Sequence, residues 1–101
     1  MTKKQKDILV KDREKLGRPK RYKVVLYNDD YTPMEFVMIT LVAIFRKSAD
    51  EAYNIMMNVH EKGRGVAGGP FSKEIAETKV SKVRQFAIQN GHPLKAVAEK
   101  D

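Results

Sequence analysis

The sequence has no cysteine, no tryptophan and only two histidines. Without cysteine there are no disulfides and no thiolate metal sites, which fits a reducing cytoplasm. No apolar run is long enough to span a membrane, and the first residues are too charged for a signal peptide. Repeats and low-complexity tracts are also missing. His60 and His92 have no carboxylate pair at ligand spacing beside them, so no metal site and no cofactor are expected. Ser48 and Ser72 are accounted for as helix caps, and neither has an evident His–Asp pair, so nucleophilic catalysis has no support. These absences point away from an enzyme.

What is present is one small domain with a basic lead. The chain has 101 residues and a net charge of +7. Residues 1–21 carry nine Lys and Arg against three acidic residues, so six of the seven excess charges lie there. That segment has too few apolar positions for a core and is read as a flexible N-terminal extension, with residues 22–101 as the domain. A basic tail suits an anionic partner such as nucleic acid, or is simply solvated.

From Arg21 to Tyr27 the chain alternates, with Tyr22, Val24 and Leu26 on one face and Lys23, Val25 and Tyr27 on the other, which predicts a strand. Asn28-Asp29-Asp30 breaks it. Thr32, Pro33 and Glu35 then read as N-cap, first helical residue and capping-box partner of a helix running to about Lys47. Phe36, Val37, Ile39, Leu41, Val42, Ile44 and Phe45 cover most of its circumference, so this helix is expected to be largely buried. Ser48 and Glu51 form a second capping box, followed by the stripe Ala52, Ile55, Met56, Val59, with His60 expected on the same apolar face. Gly63 stops that helix. Gly63 to Phe71 is expected to be a turn leading into a short Gly-rich strand. Ser72 caps a third helix with Ile75, Ala76, Val80, Val83, Phe86 and Ala87 inward, and Leu94 to Glu99 closes the chain as a strand. The order β-α-α-β-α-β predicts an α+β fold, a small three-stranded antiparallel sheet packed with three helices.

Gly63, Gly65 and Gly68 spell G-x-G-x-x-G, but a helix precedes them and a strand follows, the reverse of what a phosphate site needs. The cluster Asn28, Asp29, Asp30 is richer. Asn and Asp are ordinary turn residues, yet three together before a helix start, with His60 on another helix, form a set of acceptors suited to a pure donor such as an ammonium ion. Met34, Val37, Met56 and Val59 are either an apolar wall beside it or plain core.

The stretch Tyr22-Lys23-Val24-Val25-Leu26-Tyr27-Asn28-Asp29-Asp30-Tyr31-Thr32-Pro33-Met34-Glu35-Phe36-Val37 resembles the ClpS family, bacterial adaptors of the Clp AAA+ protease. Met56-Met57-Asn58-Val59-His60, Ala76-Glu77-Thr78-Lys79-Val80 and His92-Pro93-Leu94 continue the resemblance in order and spacing. It implies a non-enzymatic receptor for N-degrons, substrates whose first residue is Leu, Phe, Tyr or Trp, which it hands to the N-terminal domain of the ClpA unfoldase or the related ClpC. By the same resemblance, Asn28, Asp29 or Asp30, and His60 match the positions that hold the substrate's α-ammonium. Thr32, Met34, Val37, Met56, Val59 and Leu94 match the lining of a side-chain pocket whose rim Pro33 shapes. Met34 matches a gate against β-branched residues. Glu74 and Lys79 match the unfoldase-docking face, and the tail matches the extension needed for delivery. The implied protein is cytoplasmic and monomeric, with no membrane or nucleic-acid partner. The alternative is a basic ribosome- or nucleic-acid-associated protein. It is weakened because no basic stripe with interleaved aromatics runs through the folded part.

Overall fold

The computed structural model describes residues 19–101. The expected flexible extension therefore falls, but for its last residues, outside the described region. The elements are β1 (Tyr22–Tyr27), α1 (Met34–Phe45), α2 (Ala49–Lys62), β2 (Arg64–Phe71), α3 (Lys73–Gln89) and β3 (Lys95–Lys100). The sheet order is β2-β1-β3, antiparallel throughout, so the architecture is the α+β fold that the pattern predicts.

Central strand β1 follows its alternation. Val24 and Leu26 are fully buried in the core cluster with Leu41, Ala52, Ala67, Ala76 and Val83. Val25 points to the opposite face and is fully buried as well. Its cover comes from Tyr27. The Tyr27 backbone pairs with Lys95, yet its hydroxyl donates to Glu99, which pairs with Lys23 at the far end of the ladder. The ring therefore spans the intervening Val25–Val97 row.

The elements depart from expectation in three places. Helix α1 is less buried than its composition predicts. Phe36, Val37, Leu41 and Phe45 face inward, while Ile39 and Val42 are each 46% exposed. Helix α1 packs mainly on α2 and α3 and meets the sheet chiefly at β2, so its outer flank is left to solvent. Ile75, expected inside, is half exposed, because it lies in the first turn of α3, one position before the buried Ala76. The stretch after Gly63 forms the expected Gly-rich strand, but without a turn before it and longer than predicted. It is an eight-residue strand that pairs with β1 from Tyr27↔Arg64 to Tyr22↔Phe71, with bulges opposite Val24.

The glycines explain that strand. Gly63 (φ 84°) is the left-handed cap of α2. A Cβ on Gly65 would lie 2.8 Å from Val59 Cγ2 and 3.0 Å from the Ile55 carbonyl, so glycine lets α2 rest directly on the sheet. Ser48 and Ser72 cap α2 and α3 as expected. Ser48 Oγ accepts from Glu51 N–H at 3.2 Å with the reciprocal bond at 3.3 Å, and Ser72 Oγ accepts from Ile75 N–H at 3.2 Å. No helix among the described residues is long and apolar enough to cross a membrane.

Candidate functional site

The loop from Asn28 to Pro33 leaves the end of β1 and starts α1. Its first residue is tied across the molecule. Asn28 N–H donates to the Gly63 carbonyl at 2.9 Å, and Gly63 N–H donates to the Val59 carbonyl at 3.0 Å. The polar loop is thereby fastened to the last turn of α2, which carries His60.

Asp29 organises the rest of the loop. Its Oδ1 accepts from Tyr31 N–H at 2.8 Å and Thr32 N–H at 2.7 Å, and its Oδ2 accepts from Thr32 Oγ1 at 2.7 Å. The Thr32–Glu35 capping box therefore does not form. Asp29 takes both the amide and the hydroxyl of Thr32, and the N-cap moves to Pro33 (φ −63°, ψ 144°), whose carbonyl accepts from Phe36 N–H at 3.0 Å. Partial burial pushes the Asp29 carboxyl upward. The hydrogen bonds from Thr32 and Tyr31, with the charge of His92, outweigh burial and hold it below the usual carboxylate range.

This divides the three Asx residues by role. Both Asp29 oxygens are engaged within the loop, whereas Asn28 and Asp30 stand exposed on either side. His60 is exposed too, not on the buried face with Met56 as the pattern predicted. A four-residue step overshoots one helical turn by about 40°. In the last turn that rotation carries the imidazole off the buried stripe.

The apolar candidates split in the same way. Val37, Met56, Val59 and Leu94 are at most 6% exposed and belong to the single core cluster. Met34 is 40% exposed, Thr32 half-buried and Pro33 exposed, so these three form the outer part of the set. Two neighbours were not singled out from sequence. Tyr31, 80% exposed, projects from the loop itself. His92 packs its ring 4.5 Å from Phe36, and its charge acts on Asp29. Nothing in the local pattern links His92 to a loop so distant in the chain. The signal available was its place just beyond the Gly91 helix stop.

The two candidate docking residues lie on α3 in different settings. Glu74 is exposed in the first turn. Lys79 is half-buried, its Nζ donating to the Ile44 carbonyl at 2.9 Å and lying 5.9 Å from the Phe45 ring centroid. It caps the C-terminus of α1, whose last turn has no basic residue of its own. A cavity of about 550 Å³ separates Pro19–Tyr22, where the basic segment enters the domain, from Ser72–Glu74.

An arrangement of exposed acceptors fastened beside an apolar cluster can receive a charged amine and a hydrophobic side chain together. It holds no nucleophile with a base. Residues 17–97 match the family model described as ATP-dependent Clp protease adaptor protein ClpS. An ATP-dependent Clp protease adapter protein ClpS of Rhodospirillum centenum is 50% identical over 94 residues, 93% of this chain and 86% of that protein. The ClpS adapter of Bdellovibrio bacteriovorus is 55% identical over 87 residues, 86% of this chain and 75% of its own length. Among solved structures, Agrobacterium tumefaciens ClpS2 bound to L-phenylalaninamide matches with a TM-score of 0.78 and 43% identity, covering 83% of this chain and 100% of that one.

Proposed function

The chain belongs to the ClpS family of adaptors for the ATP-dependent Clp protease, and from that premise we propose how its residues recognise a substrate. The protein is an adaptor and not an enzyme. It binds substrates through a large hydrophobic N-terminal residue, and the ribosome- or nucleic-acid-associated alternative is not favoured. In our reading the acceptors are Asn28, Asp30 and His60, which take the three N–H donors of the substrate's α-ammonium directly or through water. Asp29 acts one step back, holding the loop in which Asn28 and Asp30 stand. The side chain of the first residue enters against Val37, Met56, Val59 and Leu94, with Thr32, Pro33 and Met34 at the mouth. Met34 is the gate that disfavours β-branched side chains.

The observation that carries this reading is the Asn28–Gly63 bond together with the saturation of Asp29. The bond brings the acceptor loop to the helix end that bears His60, and the saturation leaves Asn28 and Asp30 exposed. The energetics are adequate. Burial of a Leu or Phe side chain contributes about 1.5–3 kcal/mol, and each charge-assisted hydrogen bond roughly 1.5–3 kcal/mol at most. After association costs, micromolar affinity or better is consistent with these terms. An internal Leu has no ammonium and leaves the acceptors unpaired.

Handover takes place at the N-terminal domain of ClpA or its relative ClpC, with the adaptor acting in the cytoplasm as a monomer. Glu74 makes the exposed docking contact, and Lys79 keeps α3 in place through α1. The basic segment enters beside Glu74, which suits a tail offered to the unfoldase once the adaptor has docked. The acceptor assignment is tested by calorimetric titration of a Phe-leading peptide into Asn28→Ala and Asp30→Ala. Each is expected to bind about tenfold more weakly, the equivalent of one lost charge-assisted bond. Wild-type affinity in both variants would remove these residues from the site.

A further inference from the structure

Beside this site, on the sheet face away from the helices, lies a cluster that first-residue recognition does not use. Tyr27 sits between its two register partners, Arg64 and Lys95. Arg64 Cζ lies 5.5 Å and Lys95 Nζ 5.4 Å from the ring centroid. Glu99 accepts from the Tyr27 hydroxyl and from Arg64 Nη2 at 2.7 Å. Arg64 uses one donor of its fork in that bond, and Lys95 is exposed with no ion pair among the described residues. With Lys23, whose charge also acts on Glu99, the face holds three cations against one carboxylate.

Each member of the cluster adjoins the amine site along the chain. Tyr27 precedes Asn28, and Lys95 follows Leu94. Arg64 follows Gly63, the residue bonded to Asn28 N–H. Successive strand side chains point to opposite faces, so where Leu94 turns inward Lys95 turns outward. A polypeptide held by its first residue advances about 3.3–3.6 Å per residue when extended. Its second and third side chains therefore come within reach of this face. At the amine itself the bound ammonium offsets the exposed Asp30, whereas the excess positive charge of the cluster has no such counterpart.

Resting on the N-degron reading above, we propose that Tyr27, Arg64 and Lys95 form a second subsite that reads positions two and three of the substrate and favours a carboxylate there. Arg64 and Lys95 attract the acid from either side of the ring. The Tyr27–Glu99 bond holds the ring between the two cations. The subsite grades substrates that already satisfy the first-residue requirement.

The test uses labelled peptides Phe-Glu-Glu and Phe-Lys-Lys with a common neutral remainder, free and acetylated, at low and high salt. The free acidic peptide is expected to bind about three- to fivefold tighter than the basic one at low salt, with the ratio shrinking as salt rises. The ratio is expected to approach one in Lys95→Ala and Arg64→Gln and to return in Lys95→Arg. Equal affinities in the wild type, or a ratio unmoved by those substitutions, would overturn the subsite and leave first-residue recognition standing. Indifference of both peptides to acetylation would instead overturn the amine site on which it rests.

Discussion

At the scale of the residue, the difference between Asp29 and its neighbours decides how the loop works. Three Asx residues in a row are legible in the sequence as a cluster of acceptors, but their division of labour is not. It depends on Thr32, which pattern reading assigned to a capping box and the structure assigns to Asp29. Two carboxylates, Glu35 in a capping box and Asp29, compete for the Thr32 amide, and Asp29 prevails because it also accepts from the Thr32 hydroxyl and the Tyr31 amide. His60 shows the same limit. Its helix and its register were legible, whereas its exposure depends on where α2 ends against the sheet. The two residues also separate in pH. A neutral imidazole accepts a bond from the substrate ammonium, while a protonated one repels it, so affinity for a Phe-leading peptide is expected to fall as pH drops from about 8 to about 5.5. Asp29, held below the ordinary carboxylate value, contributes stability above its unfolded-state value. That stability is lost only as pH falls through the lower folded value, below about pH 4. The loop therefore stays intact between about pH 8 and about pH 5.5. Flat affinity across that window would remove His60 from the acceptor set.

At the scale of the element, the Gly-rich stretch after α2 was legible as a turn leading into a short strand, and its full extent was not, because glycines with no alternation look like punctuation. Its full length becomes visible only against β1, which supplies the ladder, and against α2 and α1, which press on it. Gly65 meets Val59, and Gly68 comes as close to Phe45 and Phe71, with a Cβ there 3.0 and 3.1 Å away. The glycines are contact points and not hinges. Gly65→Ala places a methyl against Val59 Cγ2 and the Ile55 carbonyl, and backbone cannot yield as a side-chain tip can. The substitution is expected to destabilise the fold by about 1–3 kcal/mol and to lower the melting temperature by roughly 5–15 °C. It should also weaken peptide binding while the protein is still folded, because α2 carries Val59 and His60. Thermal denaturation and a peptide titration below the transition check both parts. A variant with wild-type melting and wild-type affinity would show that the close approach does not position the site. Helix α1 gives the converse lesson. Its apolar residues lie nearly all round, and the packing of α2 and α3 against it determines that Ile39 and Val42 stay outside.

At the scale of the molecule, the order of six elements and the inward face of β1 were legible, because each rests on a local signal: alternation, a Ser cap, a glycine stop. What was not legible arises between elements distant in the chain, such as His92 on Phe36, Lys79 on the Ile44 carbonyl, and Tyr27 laid across the outer face to Glu99. The fold brings the ends of β1, α2 and β3 together at one edge, and the acceptor loop leaves from there. That edge is where we place the first residue of a substrate. The entry of the basic segment and the start of α3 share a cavity that contains none of these acceptors, so the surfaces we propose for capture and for delivery are separate. The most direct test is a binding panel of labelled peptides beginning with Leu, Phe, Tyr, Trp, Ile or Met, each with a free and an acetylated N-terminus. Tight binding of the free Leu, Phe, Tyr and Trp peptides, weak binding of Ile, and loss of binding on acetylation are the expected results. Binding that ignored both the first residue and acetylation would contradict the account.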